Sequence, residues 1–297
     1  VECLRDPVLA AVGRAHTVDD VARATQEARD YGLKVCFHMM PGLPGMDPER
    51  DFEDLTRLFS DAQFRPDMVK LYPTLVLPAT GLYEEWKQGR YEPYDTPTAA
   101  TLLARAKAEF PSWVRVQRIQ RDIPARLIAA GVRNGNLREL VHRRLEAAGQ
   151  RCRCLRCREV GRRAAPSLSA FELTETAYEA GGGRERFLSF EDPVTDTVAG
   201  FLRLRFPSDE TEGGLTHPVI RELKVLGSEV PIGGSAHGNG EMQHRGLGSR
   251  LLERAEECAR ESGHDRVLVT SAVGTREYYR RRGYEPCGAH YAKRVFA

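Results

Sequence analysis

The stretch Gln243-His244-Arg245-Gly246-Leu247-Gly248-Ser249 decides how the C-terminal half of the chain is read. It precedes a helical pattern from Ser249 to Glu261, and Ile220-Arg221-Glu222-Leu223-Lys224-Val225 before it reads as a strand. Glycines let a backbone approach a diphosphate closely, and the unpaired N–H groups of a first helical turn favour negative charge. A bare Gly-x-Gly helix start is common, so the weight rests on the order strand, glycine turn, helix, strand. The last member is Arg266-Val267-Leu268-Val269-Thr270-Ser271, and a short helix carrying Tyr278 and Tyr279 follows it. The bland alternative for these tyrosines is one packed in the core and one at the surface. Glu222 could serve as a general base, although strand glutamates are more often solvated or paired.

Working outward, Phe171-Glu172-Leu173 and Phe187-Leu188-Ser189-Phe190 flank the turn Gly181-Gly182-Gly183, and Thr197–Phe206 alternates well enough to extend an antiparallel sheet. Further upstream the pattern changes. Thr17-Val18-Asp19-Asp20 caps a helix that Gly32 stops, and the apolar run Leu33–Met40 is a buried strand closed by the loop Pro41-Gly42-Leu43-Pro44-Gly45. The order repeats as a helix from Pro48 to Ser60 with a strand Asp67–Pro73, then a helix from Thr98 to Phe110 with a strand Trp113–Ile119. Alternating helices and buried strands predict right-handed βα units on a parallel sheet. That span is too short for a whole eight-fold barrel and reads as its later strands. The opening Val1-Glu2-Cys3-Leu4, without a methionine or cap, reads as a start inside an element.

The net charge of +2 hides a strong segregation. Residues 115–163 hold 14 arginines, no lysine and 4 acids, whereas both flanking parts are mildly acidic. Guanidinium groups at this density suit phosphates, and RNA in particular, although a solvated helix face is the plainer reading. A helix from Asn136 to Ala148 ending at Gly149 lies inside this segment. Directly after it, Cys152, Cys154 and Cys157 offer three soft ligands with a spacing suited to zinc. Cys3, Cys36, His142 or a residue upstream could be the fourth, and free thiols in a basic linker are the alternative. Seven cysteines, with no signal pattern and no span of about 20 apolar residues, suit a reducing, cytoplasmic setting without a membrane.

The C-terminal succession resembles the GNAT acetyltransferases, in which two strands splay apart around the pantetheine arm of acetyl-coenzyme A. That resemblance implies main-chain contacts to the arm from Glu222, Leu223, Lys224 and Val225, and a diphosphate held by Arg245, Gly246, Leu247, Gly248 and Ser249. It also implies a tyrosine near the thioester sulfur, with Tyr279 placed first and Tyr278 second.

Five stretches taken together resemble the Elongator catalytic subunits, tRNA wobble-uridine carboxymethylating acetyltransferases. They are His38–Gly45, Pro66–Thr74, Arg118-Ile119-Gln120-Arg121-Asp122-Ile123-Pro124, Gly135–Leu140 and Arg276-Glu277-Tyr278-Tyr279. The implied architecture is α/β: the C-terminal part of a radical S-adenosylmethionine (SAM) barrel over 1–121, a basic linker with the cysteine cluster and zinc over 122–166, and a GNAT domain over 167–297. The implied reaction moves an acetyl group from acetyl-coenzyme A, by way of a radical made from SAM, to ring carbon 5 of uridine 34 of tRNA. The anticodon region of tRNA is then the substrate, with Elongator-type subunits or a second copy as partners. Pro41 to Gly45 would lie near SAM, or be only a tight turn. No Cys-x-x-x-Cys-x-x-Cys occurs here, so the 4Fe-4S ligands are expected on an upstream segment and complete activity is not expected of these residues alone. A conventional N-acetyltransferase acting on a lysine or amine, and a non-catalytic tRNA-binding or assembly module, are the competing readings.

Overall fold

A computed structural model describes residues 1–161, 167–208, 211–227, 242 and 246–295. They form two compact units, one of Val1–Arg23 with Val35–Cys157, the other of Ala24–Lys34 with Arg158–Ala297.

In the first unit, helices α1 (Asp6–Ala11) and α2 (Val18–Asp30, whose C-terminal half belongs to the second unit) precede strand β1 (Cys36–Met39). Then follow α3 (Pro48–Ser60), β2 (Met68–Leu71), α4 (Gly81–Lys87), α5 (Thr96–Glu109), β3 (Arg115–Arg118), α6 (Leu137–Ala147) and α7 (Leu155–Arg158). The three strands form one parallel sheet in the order β1-β2-β3, with Phe37 opposite Val69 and Val69 opposite Val116. The helix starts follow from their caps. Thr17 and Asp20 bond reciprocally at the head of α2, Asp47 accepts from the Glu49 and Arg50 amides before Pro48, and Asp95 accepts from the Thr98 amide. Leu55, Leu58, Leu103 and Ala106 on α3 and α5 are buried together with Val69 and Val116 on the sheet. The strands are shorter than the apolar runs predict, because the flanking residues serve as turns and connections.

In the second unit, β4 (Glu172–Ala180), β5 (Gly183–Asp192), β6 (Thr197–Phe206), β7 (Val219–Val225), β8 (Arg266–Val269), β9 (Glu285–Cys287) and β10 (His290–Arg294) form a sheet in the order β4-β5-β6-β7-β8-β10-β9. Helices α8 (Leu247–Glu261) and α9 (Arg276–Arg280) complete it. The β4–β5 hairpin turns on Gly181 and Gly182, both at positive φ (51° and 71°), as a two-residue turn of matching twist requires. The buried stripe Leu247, Leu251, Leu252, Ala255, Cys258 and Ala259 of α8 covers the sheet. Among the described residues no helix is long and apolar enough to cross a membrane.

Candidate functional site

The candidate site is built on the pairing of β7 with β8, which is parallel and lasts for only two residues, Val219 opposite Leu268 and Ile220 opposite Val269. Beyond them β7 runs on to Val225 paired only with β6. A register irregularity sets which backbone groups face the opening: Arg203 is opposite Glu222 while Leu204 is opposite Ile220, leaving Arg221 as an extra residue. The Leu226 amide donates to the Ala199 carbonyl, so by strand alternation Glu222 and Lys224 also pair toward β6. The N–H and C=O groups of Leu223 and Val225 therefore point to the open side. Of the four residues expected to offer main-chain contacts, these two have their main-chain groups on the open side.

Helix α8 starts beside this edge. Gly246 is its N-cap at φ +83°, a conformation that disfavours a side chain, and a Cβ on Gly248 would sit 2.8 Å from the Tyr278 hydroxyl. The same Cβ would lie 3.6 Å from Val225, which puts the helix start against the end of β7. The Ser249 and Arg250 amides reach back to the Gly246 carbonyl, and the first-turn amides of Leu247 and Gly248 have no acceptor within the helix. Gln243, His244 and Arg245 lie outside the described residues.

Arg282 escaped the sequence reading. Its guanidinium donates to the Ser249 hydroxyl at 2.8 Å and to the Tyr278 carbonyl at 2.9 Å, and lies 3.6 Å from the centroid of the Tyr278 ring. A fixed cation is thereby stacked on an aromatic ring next to the helix start. The signal lay in Arg280-Arg281-Arg282, but nothing in a run of three arginines says which one turns inward. The Tyr278 hydroxyl is buried, and burial raises its pKa against the opposing influence of Arg282 and Ser249. Tyr279 is buried edge-on between Tyr278 and Tyr284, and burial raises its pKa as well. Glu222 is not free to act as a base, because its carboxylate receives Lys34 at 3.2 Å and Arg203 at 3.1 Å.

A second cluster lies in the first unit. The sulfurs of Cys152, Cys154 and Cys157 lie within 4.8 Å of one another. The Leu155 amide ties the turn to the Val114 carbonyl at the head of β3. Cys154 has its pKa lowered well below the usual thiol value, first by the hydrogen bond from Cys152, and Cys152 is raised by the same bond. His142 Nε2 lies 3.6 Å from Cys157 Sγ, while Cys3 and Cys36 lie apart from the cluster. With Zn–S near 2.3 Å and Zn–N near 2.0 Å, neighbouring ligand atoms of a tetrahedral zinc stand roughly 3.5–3.8 Å apart. Burial, and then Lys107, lower the His142 pKa and favour the neutral ring that coordination requires. The three thiols are gathered closely enough to hold one metal ion, and His142 stands beside one of them, Cys157. The trio is the one cluster of three or more such side chains among the described residues.

The three stretches that follow the three parallel strands gather at their carboxyl ends, where sites of barrel-type proteins lie. The Thr74 amide donates to the Pro41 carbonyl, and the Tyr72 amide to that of Met39. Gly42, at φ +82°, is clamped: its amide and the Tyr94 hydroxyl both donate to Asp51 Oδ2 at 2.7 Å, and the Tyr91 hydroxyl donates to its carbonyl at 2.6 Å. Burial pushes the Asp51 carboxyl up to about 6 despite these donors. Three hydrogen bonds thus hold the turn at Gly42 in place.

Residues 66–147 match the Radical_SAM C-terminal domain family and residues 239–296 the acetyltransferase (GNAT) domain family. The tRNA uridine(34) acetyltransferase of Methanocaldococcus jannaschii is 44% identical over 99% of this chain and 56% of its own length. Elongator complex protein 3 of Homo sapiens is 45% identical over 99% of this chain and 54% of its own. The chain thus spans little more than half the length of these curated relatives. A solved structure of Methanocaldococcus infernus Elp3, with its N-terminal residues 1–46 deleted, superposes with a TM-score of 0.92 at 42% identity, covering 99% of this chain and 71% of that one. Two domain families in the expected order, and this agreement over nearly the whole chain, place it in the Elongator complex protein 3 family.

Proposed function

We propose that the chain is the acetyl-donor half, with the adjoining barrel and linker, of a tRNA uridine(34) acetyltransferase that starts carboxymethylation of the wobble base. The splay of β7 from β8, with a glycine helix start beneath it, carries this reading. Acetyl-coenzyme A supplies an acetyl group activated as a thioester. Its arm lies along Glu222 to Val225, received by the outward main-chain groups of Leu223 and Val225. Its diphosphate sits on the amides of Gly246 to Ser249, joined by Arg245 and by the charge of Arg282. Tyr279 is the residue proposed at the thioester, and Tyr278 packs on the phosphate side. We assign 1–121 to the barrel, 122–166 to the linker and 167–297 to the acetyltransferase domain, with zinc on Cys152, Cys154, Cys157 and His142. The anticodon region of tRNA is the substrate, and Elongator-type subunits or a second copy are the partners, in the cytoplasm. SAM and the 4Fe-4S cluster belong to the chemistry of the family, and the described residues hold no second cluster of ligands that would carry the iron.

The pairing of Glu222 with Lys34 and Arg203 disfavours a conventional N-acetyltransferase, which needs a free base to take the amine proton. Acetyl-coenzyme A hydrolysis is to be measured alone, with tRNA and with amine acceptors. Stimulation by tRNA only is expected. Amine acetylation would replace the proposal, and tight RNA binding without turnover would reduce the chain to a binding module.

A further inference from the structure

Lysine is seldom fully buried unless it is paired. Lys107, in the last turn of α5, is 0% exposed and stands on the helix face that also buries Ala100, Leu103 and Ala104. Periodicity calls for an apolar residue there, and the chain places an ammonium. That ammonium donates to Cys157 Sγ at 3.8 Å, and among the described residues no carboxylate pairs with it. The sulfurs of Cys152 and Cys154 lie within 4.8 Å of the same atom. Hydrogen bonds within the trio act first on the three thiols, and the charge of Lys107 pulls the pKa of each downward. Arg138 also faces the group, but its guanidinium is engaged by the Val116 and Gln117 carbonyls at 3.2 Å. A buried ammonium needs an anion beside it, and the sulfurs are anions only as thiolates. Three thiolates round a divalent ion leave one negative charge over, which a single ammonium offsets.

We propose that Lys107 is the counter-charge of a thiolate metal centre on Cys152, Cys154 and Cys157, donating to the Cys157 sulfur and offsetting the excess negative charge of the loaded site. The inference rests on the zinc reading of this cluster and adds to it a residue that ligates nothing. Without Lys107 the loaded centre is an unpaired buried anion, so the metal-free, protonated thiols gain against it. The whole chain is stripped of metal, and its affinities for zinc and cobalt(II) are measured by competition with a chelator. Bound cobalt is followed by its sulfur-to-metal charge-transfer absorption. Lys107→Met, of similar length and uncharged, should bind either ion roughly tenfold to a hundredfold more weakly. Its cobalt band should move to lower energy, since the sulfur has lost an N–H donor. Lys107→Arg keeps the charge and should recover most of the lost affinity. Lys107→Gln replaces Lys107→Met in the comparison if the methionine variant does not fold. A folded, uncharged variant with wild-type affinity and an unmoved band would overturn the inference and leave the zinc reading standing. Equal loss in the uncharged variant and in Lys107→Arg would make Lys107 a packing residue and overturn the counter-charge role. A wild-type chain that binds neither ion would overturn the zinc reading and the inference with it.

Discussion

Arginine is concentrated in two places, and the two are opposites. In the second unit Arg29, Arg205 and Arg221 are fully buried and converge on one carboxylate, Glu185, at 2.7, 3.2 and 2.9 Å. Asp30 takes a further bond from Arg205 Nε at 2.7 Å, and Arg205 also caps the Ala180 and Gly181 carbonyls of the hairpin. The Ser208 and Thr211 hydroxyls fill the remaining acceptor sites of Asp30. In the first unit four arginines line an open cleft with one acid among them. Buried charges are tolerated only when paired and hydrogen-bonded, so the first set is architecture, whereas in the second Arg118 and Arg121 stand exposed to solvent. The number of arginines does not distinguish the two; the carboxylates opposite them do.

The contrast breaks most sharply at Glu185. Glu185→Gln keeps the shape and removes the charge that three buried guanidiniums share. Breaking a buried pair costs about 3–5 kcal/mol, so this variant should lose at least that in urea unfolding of the second unit. A loss below about 1 kcal/mol would mean that water reaches the network and that it is not architecture.

Asp51 offers the intermediate case, a buried carboxylate held by neutral donors instead of guanidiniums. Its folded pKa of about 6 exceeds the ordinary value of 3.8, so the proton is bound more tightly in the folded state. Its stabilising contribution is therefore complete below about pH 4 and is lost as the pH rises through 6. Asp51→Asn cannot titrate, and its stability relative to wild type should rise between pH 4 and pH 7 by roughly 2–3 kcal/mol. A flat difference across that window would show that the clamp on Gly42 does not feel the charge.

Much of the frame was legible because it follows local rules. The cap at Thr17, periodicity, and the Gly181–Gly182 turn give the element order within a few residues, while the caps at Asp47 and Asp95 emerge only in the structure. Two short helices, α1 and α4, leave no readable pattern, since six or seven residues carry too little period. What stayed hidden depends on contacts distant in sequence. The buried network joins Arg29 to Glu185 and Asp30 to Arg205, more than 150 positions apart, and no pattern in either segment announces it. His142 was only one of several candidate ligands until the fold placed it beside Cys157. The bulge at Arg221, which turns Leu223 and Val225 toward the opening, comes from the pairing with β6 and not from β7 itself.

The cysteine cluster sharpens the comparison from the side of the cleft. If the cluster holds zinc as proposed and the turn between Cys154 and Cys157 sets Arg156, Cys154→Ser should abolish zinc binding and weaken RNA binding with it. Zinc content by atomic emission checks the first and anisotropy the second. Retained RNA affinity in a zinc-free, folded variant would separate the turn from the cleft.

The smallest expected effect tests the other half of the contrast. Arg118 and Arg121 sit at an exposed rim, and Arg118 pairs with Asp122 four residues away. Exposed pairs of this kind contribute about 0–1 kcal/mol, and substitutions away from packed features stay within about 0.5 kcal/mol. Arg118→Ala/Arg121→Ala should therefore leave urea unfolding of the first unit within about 0.5 kcal/mol of wild type, or raise it slightly by relieving repulsion. A destabilisation above about 2 kcal/mol would place these arginines with the architectural set. The charge density of residues 115–163 would then be a feature of folding and not of recognition, since guanidiniums that hold the fold together are already committed and have little left to offer a phosphate.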